Sequence, residues 1–292
     1  MNYTEEVITF ACEGQTLLGI VTRPEVPAQV GLVVIVGGPQ YRVGSHRQFV
    51  QLARSAAHAG YAVLRFDYRG MGDSTGEQRD FLAVESDIAA AIDALCATAP
   101  SVQRVALWGL CDGASAALLY CGATGDTRVQ GLCLLNPWVR SEASLAKTHV
   151  KHYYTQRLMQ KAFWAKLLSG KVARGALAGL WRNLTVAFSP VAANAGASRL
   201  PFQARMAAAW LSFGGPVLLL LSSEDYTAKE FLEHVGSNAA WAMALQKSTL
   251  MLHHVPDADH TFSDSRLIPV IGNCTVRLLE SMTPPCKQQV ER

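Results

Sequence analysis

Two kinds of apolar pattern alternate along the chain, and their periods predict its elements. Residues 31–38 (GLVVIVGG) form a continuous apolar run closed by two glycines, the pattern of a strand buried on both faces. YAVLRFD (61–67), QRVALWG (103–109) and VQGLCLLNP (129–137) repeat it, as do the runs starting at Pro216 and Thr249. Between them, apolar residues recur at helical spacing over 46–60, stopped by Gly60, over 81–100, stopped by Pro100, and over 111–123. Arg266 to Met282 reads as a closing helix. At the N-terminus, ITFACEG and TLLGIVTRP read as a hairpin turned at Gly14. Alternation on this scale predicts an α/β fold, with a mostly parallel eight-stranded sheet flanked by helices.

One segment breaks the rhythm. Almost 80 residues separate the strand ending near Asn136 from the one starting near Pro216. They carry a helical pattern with an interruption at Ser189-Pro190, and a gap of that size reads as an insertion instead of a loop. The expected organisation is a core of residues 1–137 and 214–292 with a helical cap over 138–213.

Composition narrows the class. With 50% hydrophobic and 17% charged residues, the chain is too apolar and too weakly charged for a disordered one. No apolar run approaches the roughly 20 residues of a spanning helix, and the start MNYTEEVITF lacks the basic and apolar regions of a signal peptide. Seven cysteines without paired spacing suggest reduced thiols in a cytoplasm, not a disulfide framework or a zinc site. No metal or cofactor is expected.

The chemistry concentrates at Gly109-Leu110-Cys111-Asp112-Gly113, where a strand turns directly into a helix. This is the nucleophile-elbow pattern G-x-S-x-G with cysteine at its centre. The central residue of such a turn is held at positive φ, so the positions two away on each side must lack bulk. The helix N-terminus beside the sulfur favours thiolate. A base is then needed, and His260 in PDADHTF follows the last strand, where chain order places it. His253 and His254 lie in a strand pattern, so one should face the core. For the acid, Asp225 after LLLLSSED is the first choice and Glu224 the second. In triad logic Cys111 attacks an acyl carbon, His260 moves the proton and Asp225 fixes the imidazole tautomer. The oxyanion hole would combine the N–H of Asp112 with one from Gly37-Gly38-Pro39-Gln40-Tyr41; Pro39 has none, which shifts the second donor to Gln40. The Asp112 side chain should point away from the sulfur or hold a hydrogen bond. In the following loop, Arg42, His46 and Arg47 are candidates for binding an anionic substrate group, with hydrogen bonding to the protein's own carbonyls as the alternative.

These residues resemble the α/β-hydrolase superfamily, and the resemblance covers nearly all of the chain outside the insertion. Asp67-Tyr68-Arg69-Gly70-Met71-Gly72-Asp73-Ser74 resembles the D-x-R-G-x-G-x-S loop of many members, in which the arginine has a structural role. GGPQYRVGSHRQF, FDYRGMGDSTGE and the GLCDG elbow together resemble the exosortase A system-associated hydrolase 1 family. That resemblance implies a link to bacterial exopolysaccharide and protein-sorting systems and names no substrate. Cysteine in the elbow is also similar to dienelactone hydrolase, whose substrate-binding arginines have no obvious match here. Gly37-Gly38 stands where the superfamily usually has His-Gly.

The net charge of +3 conceals an asymmetry. Residues 143–223 hold ten of the 26 Lys and Arg and no Asp or Glu. From Lys147 to Lys166 the basic residues recur every four to six positions among aromatic and leucine residues, as on a basic amphipathic helix. Three readings stay open for it: a solvated outer face, steering of an anionic small-molecule or acyl-sugar substrate, or peripheral contact with an anionic membrane. Nucleic acid is not expected, since no reader motif accompanies the charge. Two function classes follow: an ester- or thioester-cleaving or acyl-transferring enzyme, and a non-catalytic binding or scaffolding protein on the same fold.

Overall fold

The computed structural model describes residues 2–140 and 200–283. Its strands are β1 (Tyr3–Cys12), β2 (Gln15–Pro24), β3 (Val30–Ile35), β4 (Ala62–Phe66), β5 (Arg104–Leu110), β6 (Val129–Leu135), β7 (Val217–Ser222) and β8 (Leu250–Val255). They form one eight-stranded sheet in the order β1-β2-β4-β3-β5-β6-β7-β8. The first two make the antiparallel hairpin, turned through Glu13 and Gly14, both at positive φ as a two-residue turn between twisted strands requires. β2 pairs antiparallel with β4, and β3 through β8 run parallel. β3, β4 and β7 are buried along their whole length, which is why their sequences are continuous apolar runs and not alternating ones.

The helices are α1 (Gln48–His58), α2 (Glu85–Thr98), α3 (Asp112–Thr124), α4 (Phe202–Ser212), α5 (Tyr226–Gly236), α6 (Ala239–Ala244) and α7 (Leu267–Ser281). α1 packs with α7, while α2, α3 and α4 pack in succession. Among the described residues no helix is long and apolar enough to cross a membrane.

Three sequence expectations change. The helix expected from residue 46 starts at Gln48, because His46 and Arg47 both adopt left-handed backbone ahead of it. Neither His253 nor His254 faces the core: β8 is an edge strand, and both residues are exposed. Finally, α4 belongs to the core unit, which comprises residues 1–139 and 200–292, although it was grouped with the insertion. Its Ala209 lies against Gly122 of α3, and Trp210 stacks edge-on against Trp241 of α6 at 5.8 Å. Lys247 Nζ donates to the carbonyls of Trp210 and Leu211 at 3.2 and 3.0 Å, closing the helix end. The expected basic helix and the Ser189-Pro190 interruption lie outside the described residues.

Candidate active site

The elbow forms where β5 ends and α3 begins. Cys111 sits at φ 61°, ψ −125°, a left-handed conformation costing about 1–3 kcal/mol for a residue with a side chain. Its own backbone is well anchored: the N–H donates to Leu135 O at 2.9 Å, and the carbonyl accepts from Ala114 and Trp138 N–H at 3.1 and 3.2 Å. The two flanking glycines are required by space. A Cβ on Gly109 would meet the Gly113 backbone, and one on Gly113 would lie 2.6 Å from Ile35 O. The sulfur is thereby lifted to the C-terminal end of the central strands, where parallel sheets place their reactive groups.

Asp225 and His260 converge on it. Asp225 ends the β7 turn as the N-cap of α5, its carboxylate accepting from Thr227 and Ala228 N–H at 3.1 and 3.2 Å. Oδ2 also takes His260 Nδ1 at 2.9 Å, with Asp225 5% and His260 36% exposed. The Cys111 side chain is the imidazole's second polar neighbour. Asp225 first, and Cys111 after it, push the His260 pKa up to about 10 against the opposing effect of burial. Glu224, the alternative acid, is turned to Ser223 and Lys229 instead. Burial raises the thiol pKa of Cys12, Cys96, Cys121, Cys133 and Cys274, the condition of an inert cysteine.

Asn136 is a positioning residue that the sequence reading missed. Fully buried and left-handed at the end of β6 (φ 44°), it accepts from Ser222 N–H at 2.9 Å and donates to Ser222 Oγ at 2.8 Å. It also donates to His260 O at 3.4 Å, while Ser222 Oγ donates to Asp259 O at 2.9 Å. The histidine loop is thus tied to two strand ends. An asparagine closing a strand just before Pro137 was the available signal, since asparagine tolerates left-handed backbone.

The remaining candidates separate. Asp112 Oδ1 accepts the Gly38 N–H at 2.6 Å, so its side chain holds a hydrogen bond as expected, and the second N–H of the glycine loop is occupied. Gln40 turns its side chain back to Ser45 N–H at 3.4 Å. Arg42 is not left for substrate. Its guanidinium is bonded to the buried Asp67 and to Asp73 at 2.5 Å, because the loop after β4 brings both carboxylates beneath it. His46 and Arg47 are exposed. Arg69 has the structural role implied for it, forked onto buried Asp87 and bonded to Glu13. Among the described residues no cluster of three His, Cys, Asp or Glu forms a metal site. A cavity of about 730 Å³ opens at the opposite end of the sheet, lined by residues such as Val129, Phe213 and Met282, and contains none of these groups.

Comparison with solved structures gives the same fold. An esterase of Pyrococcus furiosus superposes with a TM-score of 0.63 at 14% identity, covering 95% of this chain and 91% of its own. Est1E from Butyrivibrio proteoclasticus, solved with ferulic acid bound, gives 0.60 at 16% over 94% and 99%. A serine hydrolase homologue from Coxiella burnetii gives 0.55 at 16% over 95% and 98%. No curated sequence matches the chain. The family described as serine aminopeptidase, S33, matches residues 28–239, a span that includes Cys111. The fold is that of the α/β hydrolases, and the chain belongs to the S33 serine aminopeptidase family of hydrolases.

Proposed function

We propose that this hydrolase cleaves or transfers an acyl group held in ester or thioester linkage, with Cys111 as nucleophile, His260 as proton carrier and Asp225 as the orienting acid. The observation that carries this reading is the imidazole bonded to Asp225 at 2.9 Å that also has the Cys111 side chain as a polar neighbour. In the first step His260 takes the proton of the Cys111 thiol. The sulfur pair then forms the C–S bond while the carbonyl pair moves onto oxygen as an oxyanion. Collapse of that intermediate breaks the bond to the leaving group, which takes the proton from His260. Water, or a sugar hydroxyl in a transferase, then gives its proton to His260 and attacks the thioester, releasing the acyl product and restoring the sulfur. The N–H groups of Asp112 and Gln40 are the proposed oxyanion donors, each worth about 2.7–4 kcal/mol in the transition state.

The substrate is a small molecule. His46 and Arg47 are the proposed contacts for an anionic group, and residues 138–213 the proposed cap apart from α4. The likeness to the Pyrococcus esterase and to ferulate-bound Est1E makes alkyl and aryl esters the first probes. The motifs similar to the exosortase-associated family add acylated sugars of bacterial exopolysaccharides, in a cytoplasmic setting. Intact-mass analysis and peptide mapping after exposure to p-nitrophenyl esters and acyl thioesters test the assignment. An acyl adduct on the Cys111 peptide is expected, absent from Cys111→Ala. The same adduct on Cys111→Ala sinks it.

A further inference from the structure

The elbow carries an unusual strut. Asp112 is the first residue of α3, yet its carboxyl group turns back across the elbow to the loop after β3. Oδ1 accepts the Gly38 N–H at 2.6 Å, a short bond for a nitrogen donor. Contact continues at Gly37, which lies so close that a Cβ there would sit 2.6 Å from the same oxygen and 3.0 Å from Gly113 N. On the other side of the junction, a Cβ on Gly113 would meet Ile35 O at 2.6 Å and Gly37 N at 3.2 Å. The end of β3 and the start of α3 are therefore pressed together with only glycine between them. Gly38 itself is left-handed at φ 59°, and the chain behind it passes through Pro39, which has no N–H to anchor it. Of the hydrogen bonds formed by this exposed turn, the one to Asp112 joins it to the nucleophile's own helix.

We propose that Asp112 is a positioning residue of the acyl-transfer centre: its carboxyl oxygen holds the Gly38 turn against the elbow and so sets the spacing between the two arms of the oxyanion hole. The reasoning is geometric. One arm of the hole is the backbone of Asp112, fixed by α3; the other comes from the loop that Gly38 begins. Oxyanion donors work only when they are aimed in advance at the position the charge will occupy. A misplacement of about 1 Å costs on the order of 100-fold. An acceptor is what the strut requires; a negative charge beside a developing oxyanion would oppose the reaction. Burial does hold the Asp112 pKa above its ordinary value, against the opposing effect of the Gly38 N–H. Tyr68, buried with its hydroxyl lacking a hydrogen-bond partner, and Asp80 are the other titratable groups whose charges couple to it.

This inference rests on the acyl-transfer reading of Cys111, and two reactions of one sulfur keep the two apart. Alkylation by iodoacetamide needs the nucleophile but no oxyanion hole, whereas acylation by p-nitrophenyl acetate needs both. The test measures both rates at Cys111 by peptide mapping in wild type, Asp112→Asn and Asp112→Ala, with thermal melting to establish folding. Asparagine keeps the Oδ1 acceptor, so Asp112→Asn should acylate within about threefold of wild type. Asp112→Ala should alkylate normally and acylate on the order of 100-fold more slowly, through the acylation rate constant and not through substrate affinity. Should Asp112→Ala fail to fold, Asp112→Leu, of similar size and without an acceptor, replaces it.

Equal acylation in all three variants overturns the strut, as does an equal loss in the asparagine and alanine variants, which would assign the effect to charge. Faster acylation of Asp112→Ala also overturns it, since the carboxyl group would then be occupying the oxyanion's place. A parallel fall in alkylation overturns it by moving the effect to the sulfur. A wild-type chain that alkylates at Cys111 but takes no acyl group from any ester removes the acyl-transfer reading itself, and the strut with it.

Discussion

Asp225→Asn separates two jobs that one carboxylate performs. Asp225 caps α5 through Thr227 and Ala228 N–H, and its Oδ2 holds His260 Nδ1 at 2.9 Å. Asparagine caps a helix about as well as aspartate, whereas alanine at an N-cap costs about 0.5–2 kcal/mol. Asp225→Ala should therefore be about 1 kcal/mol less stable than Asp225→Asn, or about 2–4 °C in melting temperature for a domain of this size. Activity should follow a different order. An asparagine whose Oδ1 stays on the cap presents its NH2 to the imidazole. The ring must answer with a bare Nδ1, which moves its proton to Nε2, facing the sulfur. That tautomer cannot take the thiol's proton, and loss of the carboxylate also removes the main cause of the raised His260 pKa. Losing the orienting carboxylate of such a triad lowers turnover by as much as about 10⁴-fold, and a fall of about 10²–10⁴-fold is expected in both variants. Thermal denaturation and single-turnover acylation, run on the same preparations, read the two effects. Wild-type acylation by Asp225→Asn would refute the orienting role, and equal melting temperatures for the two variants would refute the capping one.

Other perturbations follow from the same geometry. Gly113→Ala puts a Cβ 2.6 Å from Ile35 O, and an overpacking cost of about 1–3 kcal/mol should appear as a lower urea midpoint; an unchanged midpoint contradicts the packing. Arg42→Ala strands the buried Asp67, which keeps only backbone donors from Arg42 and Asp73, and should cost about 3 kcal/mol. Anionic and neutral esters should show the same KM in that variant, whereas a rise confined to the anionic ester would restore a binding role. For His260, folding raises the pKa from 6.5 to about 10, so it favours the protonated ring. Its stabilisation is complete below pH about 6.5 and lost as the pH climbs towards 10. The melting-temperature gap between wild type and His260→Ala should therefore narrow over that range, and a gap independent of pH would argue against the raised pKa. Asn136→Ala releases Ser222 and the His260 carbonyl and should cost about 1–3 kcal/mol, with faster hydrogen exchange in residues 257–263; unchanged exchange there would deny it the positioning role.

What could be read from the sequence was what depends on local pattern. Unbroken apolar runs such as Val30–Ile35 report burial on both faces, and burial on both faces means a parallel sheet with helices over it. The elbow was legible because Gly109 answers to atoms a few residues away, the Gly113 backbone that faces it. Other features depend on which loops meet, and single-chain periodicity carries no trace of that. Arg42 stayed a candidate for binding an anion because the carboxylates that engage it arrive from residues 67 and 73. Helix α4 was grouped with the insertion because the surfaces covering it, on α3 and α6, lie about 80 residues before it and 30 after. Asn136 escaped for the same reason: its partners are on β7 and in the histidine loop. His253 and His254 were judged by a strand with two covered faces, a condition that an edge strand does not meet.

The way the elbow is held also explains how a cysteine can occupy the centre of a serine-family motif. None of the bonds that hold position 111 at φ 61° uses its side chain: the anchors are its N–H on Leu135 O and its carbonyl under Ala114 and Trp138 N–H. The clearance comes from Gly109 and Gly113, and the joint with the neighbouring strand from Gly37 and Asp112. Strain at the nucleophile is therefore met by backbone contacts that are indifferent to whether oxygen or sulfur projects from the turn. The side chain at 111 is free to vary within the limits of size, and in the proposed mechanism its reactivity is set from outside by His260. Fold and chemistry are consequently specified by different residues: the glycines shape the exposed turn at the sheet end, and Cys111 puts a sulfur there, which in the proposed mechanism is a better leaving group than oxygen in the second half of the reaction.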